Sequence, residues 1–237
     1  MYYRGGDMKM IDVLLNSSLF TDMSYDEVKN AFKYLDENYS GTYYTKKFFA
    51  DDYIAIEGYT CENLGIILHG EIEVQRELPS GKFFTISSFK EGDCFAESII
   101  FSKKNEYPSS IVSITESEIL FISKTGLLKL MSMNEKLFEN FARILSDRIH
   151  LLSDRVTTLS LDNIRKKIAN LLLKEYKTTA SLTIVLPYSR DKMAQLLNVT
   201  RPSLSRELTN MKDDGLINYY KNKFTILDIN ALEESLL

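Results

Sequence analysis

The chain is poor in the residues that build self-contained metal or disulfide chemistry, with two cysteines and two histidines among 237 residues. Cys61 and Cys94 lie far apart with no C-x-x-C pair, so neither a structural zinc site nor a disulfide framework is expected. Two thiols are also too few for an iron–sulfur cluster held by one chain, which normally takes four. His69 and His150 cannot alone make a zinc enzyme. No apolar run approaches the roughly eighteen residues of a membrane span, and the opening Met1-Tyr2-Tyr3-Arg4-Gly5-Gly6 lacks the apolar core of a secretory signal. A cytoplasmic protein without membrane contact is the expectation. No nucleophile–base spacing, phosphate loop or paired carboxylates stand out, so the chain is not expected to be an enzyme.

What is present is ordinary in amount and uneven in distribution. Apolar residues make up 44% and charged residues 26%, as in a globular protein, and the length suits two compact units. The net charge of −4 argues against nucleic acid until it is mapped along the chain. Ser160 to Thr225 holds twelve Lys or Arg against six Asp or Glu, a balance of +6 that leaves −10 for the remainder. An acidic first part with a basic last third is the asymmetry expected when one module touches phosphate.

Met10 to Leu35 reads as two helices, the second opened by Ser24-Tyr25-Asp26-Glu27, in which a Ser N-cap faces a Glu three residues on. From Tyr43 to Ser123 short β-rich runs follow: Ile66 to Leu68, Ile72 to Val74, Phe83 to Ile86, Ile111 to Ile114 and Ile119 to Ile122. Turns at Gly58, Gly70, Pro79-Ser80-Gly81 and Glu91-Gly92-Asp93 separate them, with the spacing of a barrel, sandwich or roll. Lys124 to Leu159 then reads as helix. Within it Phe138, Ala142, Leu145, Ile149, Leu152, Val156 and Leu159 recur at alternating spacings of four and three, the seam of a coiled coil. A second stripe, Phe141, Ile144, Arg148 and Leu151, is available to pack on the β-domain. The spacing predicts a dimer; an ordinary core helix of a monomer is the alternative. Leu161 to Tyr176 reads as a further helix and Leu182 to Leu186 as a strand.

Ser189 to Gly215 carries the functional signal. Ser189 is a credible N-cap for a helix to about Leu197, Asn198 accepts a left-handed turn, and Thr200 caps a second helix in whose first turn Pro202 costs nothing. Gly215 stops that helix. Ala194 at the crossing and apolar Met193, Leu197, Val199 and Leu204 complete a helix-turn-helix, with Arg201, Ser203, Ser205 and Arg206 as the exposed set of its second helix. Leu216 to Ile226 alternates like a hairpin with a polar tip, a wing suited to backbone contact. The bland alternative is a helical hairpin whose arginines merely solvate a surface.

Along nearly its whole length the sequence resembles the cyclic-AMP receptor protein/Fnr family of transcription factors. Leu64-Gly65-Ile66-Ile67-Leu68-His69-Gly70-Glu71-Ile72 is similar to the family's strand-Gly-strand segment, and Gly92-Asp93-Cys94-Phe95-Ala96-Glu97-Ser98 to its effector-cradling turn. Val199-Thr200-Arg201-Pro202-Ser203-Leu204-Ser205-Arg206 matches its recognition helix, with Gly215-Leu216-Ile217 after it. The resemblance implies an α+β chain in three parts. These are an effector-sensing β-roll of the cyclic-nucleotide-binding jelly-roll type with a helical lead-in over 1–123, a dimerisation helix over 124–160, and a winged helix-turn-helix over 161–237. It further implies a homodimer on a palindromic site in double-stranded DNA, acting on RNA polymerase.

By the same resemblance Arg201 and Arg206 read bases, Ser205 lies between them, and Thr200 and Ser203 meet the backbone. Pro202 stands where many members carry a base-reading Glu, which implies a different preferred half-site. Ser189, Arg190, Tyr220 and Lys221 complete the expected DNA contacts. In the β-roll Glu97 keeps the position that meets a ribose, while Tyr107-Pro108-Ser109-Ser110 replaces the Arg-Ser pair that meets a cyclic phosphate. The expected effector set is Glu97, Ser98, Tyr107, Ser109, Ser110 and, on the long helix, Ser153. An unidentified small molecule other than cyclic AMP is the expectation; Lys103 or Lys104 could add a cation, Glu97 could instead cap a turn, and no effector at all stays open. Haem is not expected, since a lone histidine such as His69 or His150 is more often a surface or core residue. A ligand-binding module without DNA function is the competing reading.

Overall fold

The computed structural model describes residues 6–77, 81 and 83–236, so Met1 to Gly5 of the opening segment and Pro79 and Ser80 of an expected turn lie outside the described residues. The chain divides into two compact units, Met1–Arg148 and Ile149–Leu237.

The first unit opens with α1 (Gly6–Leu15), a 3₁₀ turn (Ser18–Phe20) and α2 (Tyr25–Asn38). The capping box at the head of α2 forms as expected: Ser24 N–H donates to Glu27 Oε2 at 2.7 Å and Glu27 N–H to Ser24 Oγ at 3.3 Å. Eight strands follow: β1 (Tyr43–Phe48), β2 (Tyr53–Ala55), β3 (Asn63–His69), β4 (Glu71–Glu77), β5 (Phe83–Lys90), β6 (Cys94–Phe95), β7 (Ser110–Ser113) and β8 (Ser117–Ser123). They make two four-stranded antiparallel sheets, in the orders β1-β8-β3-β6 and β2-β7-β4-β5.

The continuous apolar runs of β3 and β8 follow from burial on both faces. Leu64, Ile66 and Leu68, with Leu120 and Ile122, face the helices and meet Leu14, Phe20, Val28, Phe32 and Leu35. Ile67, Ile119 and Phe121 point the other way, into the space between the sheets with Phe48, Ile72, Phe95 and Ile111. Gly65 is required beneath Phe95, since a Cβ there would stand 2.1 Å from the ring. Gly70, at φ +89°, makes the β3–β4 turn where a Cβ would meet the Glu116 carbonyl at 2.5 Å. The expected strand over Ile111 to Ile114 ends one residue early, at Ser113.

The expected single helix from Lys124 to Leu159 is two, α3 (Lys124–Met133) and α4 (Glu135–Ser160). Asn134 breaks them: it adopts an extended backbone, and its Oδ1 accepts from the amides of Lys136 and Leu137 at 3.0 and 3.4 Å. The amides are thereby capped at a fresh N-terminus. α3 and the first half of α4 belong to the first unit and not to a separate segment 124–160, because Leu127, Leu130, Leu137 and Phe141 are buried in the core beneath the sheet. Buried Asn140 reinforces this, donating to the Leu19 and Thr21 carbonyls at 3.1 and 2.8 Å.

The second unit contains the end of α4, then α5 (Ile164–Thr179), β9 (Thr183–Val185), α6 (Arg190–Leu196), α7 (Arg201–Asp213), β10 (Ile217–Tyr220), β11 (Lys223–Ile226) and α8 (Ile229–Glu234). α5 starts later than expected because Asn163 caps it, accepting from Lys166 N–H at 2.8 Å. The strand expected over Leu182 to Leu186 contracts to β9, which joins the sheet β10-β11-β9. Ile168, Leu172, Leu204, Leu208, Met211, Ile217, Phe224 and Leu232 form a separate core. No helix among the described residues is long and apolar enough to cross a membrane.

Candidate nucleic-acid interface and effector cleft

The caps and the turn read for the helix-turn-helix are present. Ser189 Oγ accepts from Lys192 N–H and Thr200 Oγ1 from Ser203 N–H, each at 3.3 Å, so both helices are capped by the expected side chains. Between them Asn198 takes φ 51°, the left-handed turn its short amide tolerates. Leu204, Leu208 and Met211 are fully buried, which turns the opposite face of α7 to solvent. Arg201, Pro202, Ser205 and Arg206 lie on that exposed face. Ser203 does not: it is half-buried and its Oγ is bonded to Thr200 Oγ1 at 2.8 Å, so it supports the cap. Arg201 Nη1 lies 3.2 Å from Asp191 Oδ1, in the first turn of α6.

The angle of α7 is held from behind by Arg165 of α5. Its Nε contacts Glu207 Oε1 and its Nη2 contacts Asp214 Oδ2, both at 2.6 Å, so one planar guanidinium spans the helix from middle to end. Glu207 above all holds the Arg165 pKa above its ordinary value, with Asp214 adding to it. Sequence reading missed this residue, since only the fold brings its two partners together.

β10 and β11 form the wing, with Lys221 at φ 52° in the turn and Tyr220 and Lys221 exposed at its tip. Arg190, expected at DNA, faces the protein instead. Its Nη2 donates to the Lys221 carbonyl at 2.7 Å and its guanidinium lies over the Tyr219 and Phe224 rings at 4.8 and 4.5 Å. Burial pushes its pKa below the ordinary arginine value. The planar cation thus pins the wing to the start of α6.

In the β-roll the expected effector residues divide. Glu97 follows Ala96, which has φ 68°, and is buried, with Oε1 3.0 Å from Arg148 Nε on α4. A buried carboxylate needs a cation or several donors, and α4 supplies it; neither a turn cap nor an open ligand contact describes Glu97 here. Ser109 is buried with its Oγ donating to the Pro108 carbonyl at 2.7 Å, and Ser110 Oγ accepts from Glu57 N–H at 3.0 Å. Ser98 and Tyr107 do come together, along a cleft of about 600 Å³ that also takes in Arg76 and Lys104. Ser153 is an exposed residue of the second unit.

Arg76 is the cation that sequence reading missed. Its Nη2 donates to the Pro108 carbonyl at 2.8 Å, at the point where the Tyr107-Pro108 segment lacks a charge of its own. The signal was present: Ile72, Val74 and Arg76 share one face of β4 by the two-residue period. His69 is exposed and faces Glu91 across 3.6 Å, and His150 is exposed on α4.

Residues 45–134 match the cyclic nucleotide-binding domain and residues 166–235 the Crp-like helix-turn-helix domain. The chain is 23% identical over 165 residues to the cAMP-activated global transcriptional regulator CRP of Salmonella typhimurium, covering 68% of this chain and 79% of that one. It is 24% identical over 170 residues to the anaerobic regulatory protein of Bacillus subtilis, covering 70% and 71%. Among solved structures, the catabolite activator protein of Thermus thermophilus has a similar fold, with a TM-score of 0.53 and 20% identity over 93% of this chain and 98% of that one. A mutant of CooA from Carboxydothermus hydrogenoformans superposes with a TM-score of 0.51 and 18% identity over 93% and 100%.

Proposed function

The chain belongs to the cyclic-AMP receptor protein/Fnr family of DNA-binding transcriptional regulators, and from that premise we propose that it acts as a cytoplasmic homodimer on a two-fold symmetric operator, under control of a small effector in the β-roll. The observation that carries this reading is the exposed face of α7, where Arg201 and Arg206 stand free of the core on a helix capped and braced from behind. An arginine fork can donate two hydrogen bonds to guanine O6 and N7, worth about 1–3 kcal/mol of discrimination per good pair. Thr200, Ser205, Ser189, Tyr220 and Lys221 lie exposed on the same motif, placed for phosphate and groove contacts.

Dimerisation is supported by α4. Ile149 and Val156 are each 66% exposed, and Phe138, Leu152 and Leu159 are exposed beside them. Apolar side chains at heptad spacing on open surface call for a partner helix. Two subunits so joined would present recognition helices to successive major-groove faces, about 34 Å apart, and the bound dimer would recruit or obstruct RNA polymerase.

The effector we propose is a small polar molecule that fits between Arg76, Ser98 and Lys104. A molecule other than cyclic AMP is proposed, a reading supported by the pairing of Glu97 with Arg148 and by Ser109 turned onto the backbone. The test is a gel shift with genomic fragments, followed by the same assay on Arg206→Ala. Retardation of selected fragments by the parent and its loss in the variant, with the dimer intact, is the expected result. Equal affinity of variant and parent for the selected operator would remove Arg206 from base reading.

A further inference from the structure

Arg201 and Asp191 face each other across the mouth of the helix-turn-helix. Asp191 is in the first turn of α6 and Arg201 opens α7, so the two helix starts come together at the surface turned toward the groove. Their side chains are 62% and 60% exposed, and Arg201 Nη1 lies 3.2 Å from Asp191 Oδ1. An ion pair this open contributes little to stability. Its position is also unfavourable for general DNA affinity, because a carboxylate at the DNA-facing end of a helix opposes the phosphates.

The geometry nevertheless suits another purpose. A guanidinium has two edges that can each present a pair of parallel donors, and an anion at Nη1 leaves the Nε–Nη2 edge open. A long arginine free in solvent must lose its rotamer freedom on reaching a base; one already held gives up less. We propose that Asp191 is a positioning residue for base readout: it holds the Arg201 fork so that its free edge meets guanine O6 and N7. Asp191 thereby sharpens sequence discrimination while weakening attraction to DNA in general. The inference rests on the reading of α7 as a recognition helix.

That opposition of sign supplies the test. The operator is first selected from a random-sequence pool with the full-length parent protein, and the guanine read by Arg201 is located as the position whose preference Arg201→Ala abolishes. Affinities of the parent, Asp191→Ala and Asp191→Glu are then measured by fluorescence anisotropy for three duplexes: the operator, the operator changed at that base pair, and an unrelated sequence. Asp191→Ala is expected to lower discrimination at that base pair about tenfold, within the range for one arginine–guanine contact, to raise affinity for the unrelated duplex, and to leave the base pair read by Arg206 unaffected. Asp191→Glu, which keeps the carboxylate, is expected to restore most of the discrimination. Asp191→Ala shifting all three affinities by one common factor would overturn the proposal, since the carboxylate would then act only as a repelling charge. If Arg201→Ala costs no base preference, or the parent binds no duplex, the reading of α7 fails and the proposal fails with it; if Arg201→Ala does and Asp191→Ala does not, only the positioning role is lost.

Discussion

Cys94 is buried with its sulfur 3.4 Å from Ser17 Oγ, and burial above all pushes its pKa up to about 11. Cys61 is also buried and also raised, though the Tyr107 hydroxyl and the Asn63 backbone partly offset the effect. Since the thiolate is the reactive species, a raised pKa keeps both groups protonated at pH 8. A disulfide-exchange reagent at pH 8 is therefore expected to titrate neither thiol in the folded protein and both once denaturant is added; prompt reaction of one equivalent without denaturant would show a thiolate exposed in the native state. The separation of the two cysteines was legible in the sequence, but their burial was not, because it depends on contacts such as that of Cys94 with Ser17, 77 positions away. The role of Glu97 was not legible either, because its partner Arg148 lies 51 positions away and becomes visible only when α4 is laid against the roll. Arg76 was half legible: strand alternation told its face, but not that Pro108 would be its acceptor.

Where structure follows from chemistry within a few residues, the elements were readable in advance. The capping box at Ser24, the caps at Ser189 and Thr200, Pro202 in a first turn and Gly215 at φ 75° are all local bargains between side chain and neighbouring amide. The break at Asn134 escaped notice because helix-favouring residues flank it and no Gly or Pro marks it; the core contacts of Leu130 and Leu137 decide where the chain must turn. The seam of α4 is the converse case, a pattern longer than any one unit requires. Leu145 of that seam is half-buried against the first core, whereas Leu152 is exposed. Replacing Leu152 with Glu puts two like charges opposite each other at the centre of a paired seam, without disturbing either hydrophobic core. Sedimentation should then show monomers at micromolar concentration with an unchanged helical spectrum. A variant that sediments as the parent does would mean that the dimer, if there is one, uses another surface.

Taken as a whole the molecule repels DNA, with its net charge of −4, and must bind through the local +6 of its last third. Several of the twelve basic residues behind that balance are already engaged inside the second unit. Arg165 is held by Glu207 and Asp214, Lys174 by Asp154, and Arg190 lies against the wing. The number of phosphates neutralised should accordingly be much smaller than the number of basic residues, and the salt dependence of binding measures it directly. Each phosphate contact steepens the fall of log affinity with log salt by about 0.9. Lys221, exposed at the wing tip, is the cation best placed to make one, because its backbone carbonyl already receives Arg190 and so fixes where the side chain starts. Lys221→Ala removes the charge and keeps that carbonyl. It should weaken binding to operator and unrelated DNA by the same factor and flatten the salt slope by about 1 for each subunit engaged. A change in base preference with the slope intact would place Lys221 against a base edge, and the wing would then share the reading of sequence with α7.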